Sequence, residues 1–117
     1  MRFSPRARSF VAGLLVSNSA PHLATAVTGR RHLTPLAGRR SGPGVNLVWG
    51  LANLAGGLAL LRSAARAERP GDAWDGRLVA FETGCVAFAA WMAATERFFP
   101  MNHARPPDPS NCSCADP

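Results

Sequence analysis

Five polar side chains lie within long stretches of this sequence that otherwise hold little charge. Two of them are titratable, His22 and Glu82, and three are the amides Asn18, Asn46 and Asn53. A titratable side chain is costly to bury in apolar surroundings, so one that is retained there marks a candidate path for protons or ions. A buried amide can hydrogen-bond a neighbouring helix. We treat these five residues as the candidate site.

A second group of reactive side chains lies near the C-terminal end. Cys112 and Cys114 are separated by one residue, and His103 is the nearest further ligand. A zinc site normally takes three or four protein ligands, so this group predicts no metal site. The sequence also contains no phosphate-binding loop, HExxH or Gly-x-Ser-x-Gly motif. We therefore expect no catalytic residue, no cofactor and no enzymatic activity.

Arginine supplies all the positive side-chain charge, and it is concentrated between the uncharged stretches. The 117 residues include 13 Lys or Arg, all of them Arg, and the formal net charge is +6. Residues 9–29 and 41–61 contain no charged side chain, and residues 78–96 contain only Glu82 and Glu96. A bilayer core about 30 Å thick requires roughly 20 helical residues. The three stretches therefore predict three membrane-spanning helices. A nucleic-acid partner is not expected, because such a protein would carry its arginines along its helices to meet phosphates.

The predicted fold class is an all-α membrane protein, a three-helix transmembrane bundle with a disordered C-terminal tail. The helices are expected at about residues 9–29, 44–62 and 77–99, after a basic N-terminal leader at residues 1–8. A composition rich in Pro and Asn, with few apolar side chains, predicts disorder for residues 100–117.

The expected location is the cell membrane, with several crossings and the lipid bilayer as surroundings. The leader and residues 62–77 would share one side of the membrane and hold seven arginines, against six for residues 30–40 and the tail. The positive-inside rule then favours a cytoplasmic N-terminus. Two alternatives stay open. Residues 1–26, which end in Ala24-Thr25-Ala26, also fit a cleaved signal peptide, and a soluble protein would require the three stretches to be core helices.

Helix depth argues against a direct pair between His22 and Glu82. His22 lies 13 residues into its stretch and Glu82 four or five into its own. A rise of 1.5 Å per residue separates them by roughly 12 Å if both helices begin on the same side. Asn46, Trp49 and Glu96 are better matched to the depth of His22. A membrane enzyme using His22 with Asn46 or Glu96 has no motif to support it.

Both titratable side chains also have a structural interpretation. His22 follows Pro21, which removes a backbone donor and kinks a helix, so the imidazole can form a local hydrogen bond there. Glu82 lies about one turn from the end of its stretch. Its carboxylate either reaches the membrane interface or stays protonated inside the bundle.

The second helix has the most regular pattern of small and polar residues. Asn46, Gly50, Asn53 and Gly57 follow one another at helical spacing and share one face, and leucines occupy another face. Small residues let helix backbones approach, and amides hydrogen-bond across the interface. This pattern suggests a protein that acts through helix–helix association, as a homo-oligomer or with another membrane protein. The alternative is a minimal proton-coupled carrier of ions or small solutes that uses Glu82 or His22.

Three short motifs resemble those of a group of small, uncharacterised bacterial integral membrane proteins. They are Pro21-His22, Thr34-Pro35 and the run Asn46-Leu47-Val48-Trp49-Gly50-Leu51-Ala52-Asn53. The resemblance covers about residues 10–62. It implies a bacterial membrane protein and no particular activity.

Overall fold

Three helices make up most of the structure. The computed structural model describes residues 3–39, 41–67 and 74–98. Within them, α1 spans Pro5–Val27, α2 spans Pro43–Ala67 and α3 spans Trp74–Phe98. Each helix contains a segment long and apolar enough to cross a membrane, and the described residues form no strand beyond one isolated bridge. The predicted all-α bundle of three transmembrane helices is confirmed. The predicted tail at residues 100–117, with its two cysteines, lies outside the described residues.

The helices extend beyond the uncharged stretches that predicted them. α1 begins at Pro5, inside the predicted leader, because the Ser4 side chain accepts a hydrogen bond from the Ala7 amide at 3.2 Å and caps the helix. Proline at the first helical position loses no hydrogen bond there. α2 continues to Ala67, past the predicted end at residue 62. Lack of charge marks the part of a helix that fits hydrocarbon, whereas caps and backbone geometry set where the helix ends.

α1 is the central helix of the bundle. It contacts both α2 and α3 along its length, whereas α2 and α3 barely meet. In the most apolar window, 28% of α1 and 22% of α2 is buried, but only 6% of α3. The chain therefore forms a close α1–α2 pair with α3 packed on one side of it. Cleavage after Ala26, as the signal-peptide alternative requires, would remove the helix on which the other two pack.

Glycine allows α1 and α3 to pack backbone against backbone. A Cβ atom on Gly13 would overlap the carbonyl oxygen of Phe81, and one on Gly84 would overlap the carbonyl oxygen of Phe10. The thiol of Cys85 lies 3.6 Å from the carbonyl oxygen of Gly13. Lipid is as apolar as leucine, so helices in a membrane gain most from such close approach.

The α1–α2 contact uses the predicted stripe of α2. All four of its members, Asn46, Gly50, Asn53 and Gly57, are buried. A Cβ on Gly50 would lie 2.9 Å from the Leu23 side chain, and one on Gly57 would lie 2.7 Å from that of Val16. The stripe thus packs α2 against α1 of the same chain.

We predict that Gly13→Ala destabilises the protein by about 1–3 kcal/mol, because the methyl group can be placed only by separating two backbones. Gly56→Ala is the matched control: its Cβ would meet only Leu15, at 3.6 Å. That variant should be neutral, or up to about 1 kcal/mol more stable through its helix propensity. Unfolding free energies in detergent decide the matter. Equal stability of the two variants would contradict the α1–α3 contact.

Candidate functional site

A buried polar cluster centred on Asn46 closes one end of the bundle. Asn46 lies in the first turn of α2 and is 0% exposed. Its Nδ2 atom donates to the carbonyl oxygens of His32 at 3.1 Å, of Ser41 at 3.0 Å and of Gly42 at 3.0 Å. Its Oδ1 atom lies 2.7 Å from Nδ1 of His22 on α1. One amide therefore joins α1, α2 and the loop between them.

These contacts determine how His22 is protonated in its neutral form. The Asn46 amide nitrogen is occupied by carbonyl oxygens, so its oxygen faces His22 and must accept the hydrogen bond. His22 Nδ1 then donates, and Nε2 of the neutral ring carries the lone pair. The imidazole is 3% exposed. It makes an edge-to-face contact with the ring of His32, with centroids 4.8 Å apart and planes at 77°.

The loop between α1 and α2 is folded over this cluster by its own hydrogen bonds. Ser41 Oγ donates to the Gly38 carbonyl at 2.7 Å and lies 2.7 Å from Thr34 Oγ1, which must therefore donate to it. Thr34 Oγ1 also accepts from the amides of Leu36 at 3.2 Å and Ala37 at 3.4 Å. Gly38 has a φ of +57°, a conformation that glycine adopts without strain. The loop is therefore an ordered cap.

Asn18 and Asn53 form a second polar contact between α1 and α2, deeper in the bundle. Asn18 Nδ2 donates to Asn53 Oδ1 at 3.1 Å, and Asn53 Nδ2 donates to the Trp49 carbonyl at 2.8 Å. Asn53 is 5% exposed. Asn18 lies one helical turn from His22, so the two interhelical hydrogen bonds follow one another along the antiparallel pair.

Glu82 is not part of either polar contact. Its side chain is exposed on α3. The neighbouring Phe81 meets α1 at Gly13, which is nine residues before His22 and so roughly 13 Å from it along the helix. Four of the five candidate residues thus form two pairs, His22–Asn46 and Asn18–Asn53. The structure forms no relay between His22 and Glu82. Of the residues expected at its depth, Asn46 is the one that hydrogen-bonds His22 across the helices.

The sequence analysis missed three members of the cluster, His32, Thr34 and Ser41, which are all buried. It treated residues 30–43 as an ordinary connection, because periodicity carries no information about a loop. The only signal was Thr34-Pro35, a turn-forming pair that also belongs to the resembling motifs. An ordered cap in this position requires tertiary contacts that no local pattern specifies.

The cluster is built for hydrogen bonding and has no set of metal ligands. Among residues 3–39, 41–67 and 74–98, no three His, Cys, Asp or Glu side chains come together in a way that could hold a metal ion. His103, Cys112 and Cys114 lie outside those ranges. The chemistry available at the cluster is proton transfer at His22, whose Nδ1 is fixed by an amide and whose Nε2 can accept a proton.

Comparison of the chain with protein-family models, curated proteins and solved structures finds no match. The resemblance to small bacterial membrane proteins therefore stays a prediction. What is known of the site rests on its geometry.

We predict that Asn46→Ala costs about 2–3 kcal/mol of unfolding free energy, since it leaves His22 and three carbonyls without their partner. Asn53→Ala, the same change at the deeper pair, should cost about 1 kcal/mol. Trypsin provides a second measurement, because Arg30, Arg31 and Arg39 are exposed on the cap. Asn46→Ala should accelerate cleavage at these sites, and Asn53→Ala should not. Equal stability losses with unchanged cleavage would refute the central role of Asn46.

Proposed function

We propose that this chain is a small multi-pass protein of the cell membrane that acts by associating with other membrane helices. The associating partner is a second copy of the chain or another membrane protein. Three helices able to cross a membrane support the first part of this proposal. The single observation that supports the second is the outward face of α3.

α2 offers less for association, because its stripe of amides and glycines is already used. Asn46, Gly50, Asn53 and Gly57 are buried against α1. The exposed face of α2 carries bulky side chains, among them Leu47, Leu51 and Leu58. Leucine gains nothing by leaving lipid for a protein interface. The stripe that first suggested oligomerisation therefore accounts for folding of the monomer.

α3 differs from α2 in exposing a carboxylate together with small residues. Only 6% of its apolar window is buried, and its exposed residues include Glu82, Ala89 and Ala93. The two alanines are four residues apart, the spacing of small residues at interfaces between transmembrane helices. A carboxylate facing lipid is unfavourable, and a neighbouring helix with a hydrogen-bond donor would relieve that cost. α3 is the helix whose packing needs are least satisfied within the chain.

The proposed orientation places the N-terminus in the cytoplasm. Among the described residues, the end of the bundle where α1 begins carries one arginine more than the other end, so the positive-inside rule favours it as the cytoplasmic side. The arginines at that end are Arg6, Arg8, Arg62, Arg66 and Arg77, and those at the other end are Arg30, Arg31, Arg39 and Arg97. The cap would then face the opposite side of the membrane. A reporter enzyme that is active only outside the cytoplasm, fused after residue 117, tests this arrangement. Activity of this fusion supports the proposed orientation. Activity of a fusion at residue 1 instead supports the opposite orientation.

We predict that the protein self-associates in liposomes, and that Ala89→Leu with Ala93→Leu weakens this association at least tenfold, because the larger side chains keep helices apart. Ala55→Leu with Ala59→Leu is the matched control, since these alanines have the same spacing and are exposed on α2. Energy transfer between labelled chains, measured over a range of protein-to-lipid ratios, reports the affinity.

If both double variants weaken association equally, no particular helix face is responsible, and the proposed role of α3 is contradicted. If the wild-type chain is monomeric, the remaining form of the proposal is an accessory subunit, and crosslinking from residue 89 in native membranes must then capture one defined membrane protein. A monomer without such a product refutes the proposal.

A second candidate function is proton-coupled transport, and the contact between His22 and His32 favours it. Two titratable rings lie in edge-to-face contact at one end of the bundle, and titratable groups within a membrane bundle mark candidate proton paths. Glu82 supports this candidate less well, because its side chain lies outside the bundle.

We predict that, if the chain carries protons, liposomes with the wild-type protein dissipate a pH gradient faster than empty liposomes. His22→Gln should abolish the difference, since glutamine hydrogen-bonds but does not titrate, and Glu82→Gln should leave it unchanged. Circular dichroism of each variant serves as a folding control. Equal rates with wild-type protein and without protein would remove this candidate.

A further inference from the structure

At the end of the bundle opposite the cap, the helices leave a cleft. It has a volume of about 540 Å³ and lies between the last turns of α2 and the first turns of α3, with Ser9 of α1 among its lining residues. Volumes of about 300–1,000 Å³ are typical of sites for small molecules. The cleft exists because α2 and α3 each pack on α1 and barely contact one another.

The walls of this cleft are mostly apolar, and two arginines and Ser9 complete its lining. Leucines and an aromatic ring line the walls, together with the guanidinium groups of Arg62 and Arg77. Leu58 is 53% exposed and Leu78 is 38% exposed, so the walls continue onto the side of the bundle that faces lipid. A ligand that fits both features has a long apolar part and an anionic head.

The depth of the cleft matches the headgroup region of a bilayer. Ser9 begins the first uncharged stretch, Arg62 follows the second and Arg77 precedes the third. These three positions lie at the same side of the membrane in a three-span bundle. Arg8 of α1 donates to the Ser63 carbonyl at 3.3 Å, which ties the end of α2 to the start of α1. Arg77 also makes an interaction within the protein.

The Ser9 hydroxyl is an independent observation that points to a ligand in this cleft. Its side chain is 0% exposed, and its hydroxyl has no hydrogen-bond partner within the described part of the chain. A buried hydroxyl without a partner is unfavourable and uncommon in folded proteins. An ester or phosphate oxygen entering the cleft would accept its hydrogen bond.

We propose that this cleft binds one anionic phospholipid. The phosphate pairs with Arg62 and Arg77, an acyl chain lies along Leu58, Leu61 and Phe81, and the Ser9 hydroxyl donates to an oxygen of the lipid. Basic pockets between transmembrane helices bind acidic headgroups in this way. A soluble anion would leave the apolar walls uncovered, and an apolar protein helix would supply neither an anion beside Arg62 nor an acceptor for the Ser9 hydroxyl.

The test is native mass spectrometry of the full chain in detergent, with phosphatidylglycerol or phosphatidylcholine of identical acyl chains added. The wild-type protein should retain phosphatidylglycerol preferentially. Arg62→Gln with Arg77→Gln should reduce that retention by about 25-fold, or about fivefold for each charge. Arg30→Gln with Arg31→Gln is the matched control at the other end of the bundle, where both side chains are exposed, and it should change retention less than twofold.

Ser9→Ala separates ligand binding from folding. The unpaired hydroxyl does not stabilise the lipid-free protein, so Ser9→Ala should not lower its unfolding free energy. The variant should nevertheless retain less phosphatidylglycerol than the wild type. Inorganic phosphate at the same concentration should not displace the lipid. The proposal is overturned by equal retention of the two lipids, by an equal loss in the two arginine variants, or by displacement with phosphate. The measured mass also gives the number of chains, so failure of lipid binding is distinguishable from failure of association.

Discussion

The side chain of Asn46 is the interaction on which the α1–α2 half of the molecule depends. In a membrane, a polar group that finds no partner within the protein has no water to replace it. Asn46 hydrogen-bonds His22 and three loop carbonyls at once, and its own amide nitrogen and oxygen are both paired in doing so. It therefore fixes the depth of α1 relative to α2, the orientation of an imidazole and the path of the cap. Few other residues could do this, because the task needs two donors and an acceptor on one short side chain.

Different interactions stabilise the two interfaces of α1. The α1–α2 interface combines glycines with two hydrogen-bonded pairs, and hydrogen bonds give it a defined register. The α1–α3 interface depends on backbone contact at Gly13 and Gly84, with one weak hydrogen bond from the Cys85 thiol to the Gly13 carbonyl. Fewer polar contacts define the register of α3 than that of α2. α3 is thus the element suited to rearrange when a partner helix or a lipid binds beside it.

The sequence predicted the number of helices and their approximate positions, because charge in hydrocarbon is costly and its absence over about 20 residues is informative. Helical periodicity also placed Asn46 and Asn53 on one buried face, and depth placed Asn46 near His22. His32 and Ser41 could not be predicted, since their burial arises from a loop that closes through tertiary hydrogen bonds. The position of Glu82 required knowing which face of α3 meets α1. Two glycines determine that face, and glycines are common elsewhere in this chain.

The two ends of the bundle differ in whether their buried polar groups find hydrogen-bond partners within the chain. At the cap, the chain supplies every partner for its buried amide and hydroxyl groups, so nothing from outside is needed to complete them. At the opposite end, the cleft between α2 and α3 holds a buried hydroxyl without a partner, near two arginines and exposed leucines. The cap and the α1–α2 pair maintain the fold, and the contacts with the surroundings that we propose are made by α3 and by the cleft at its first turns.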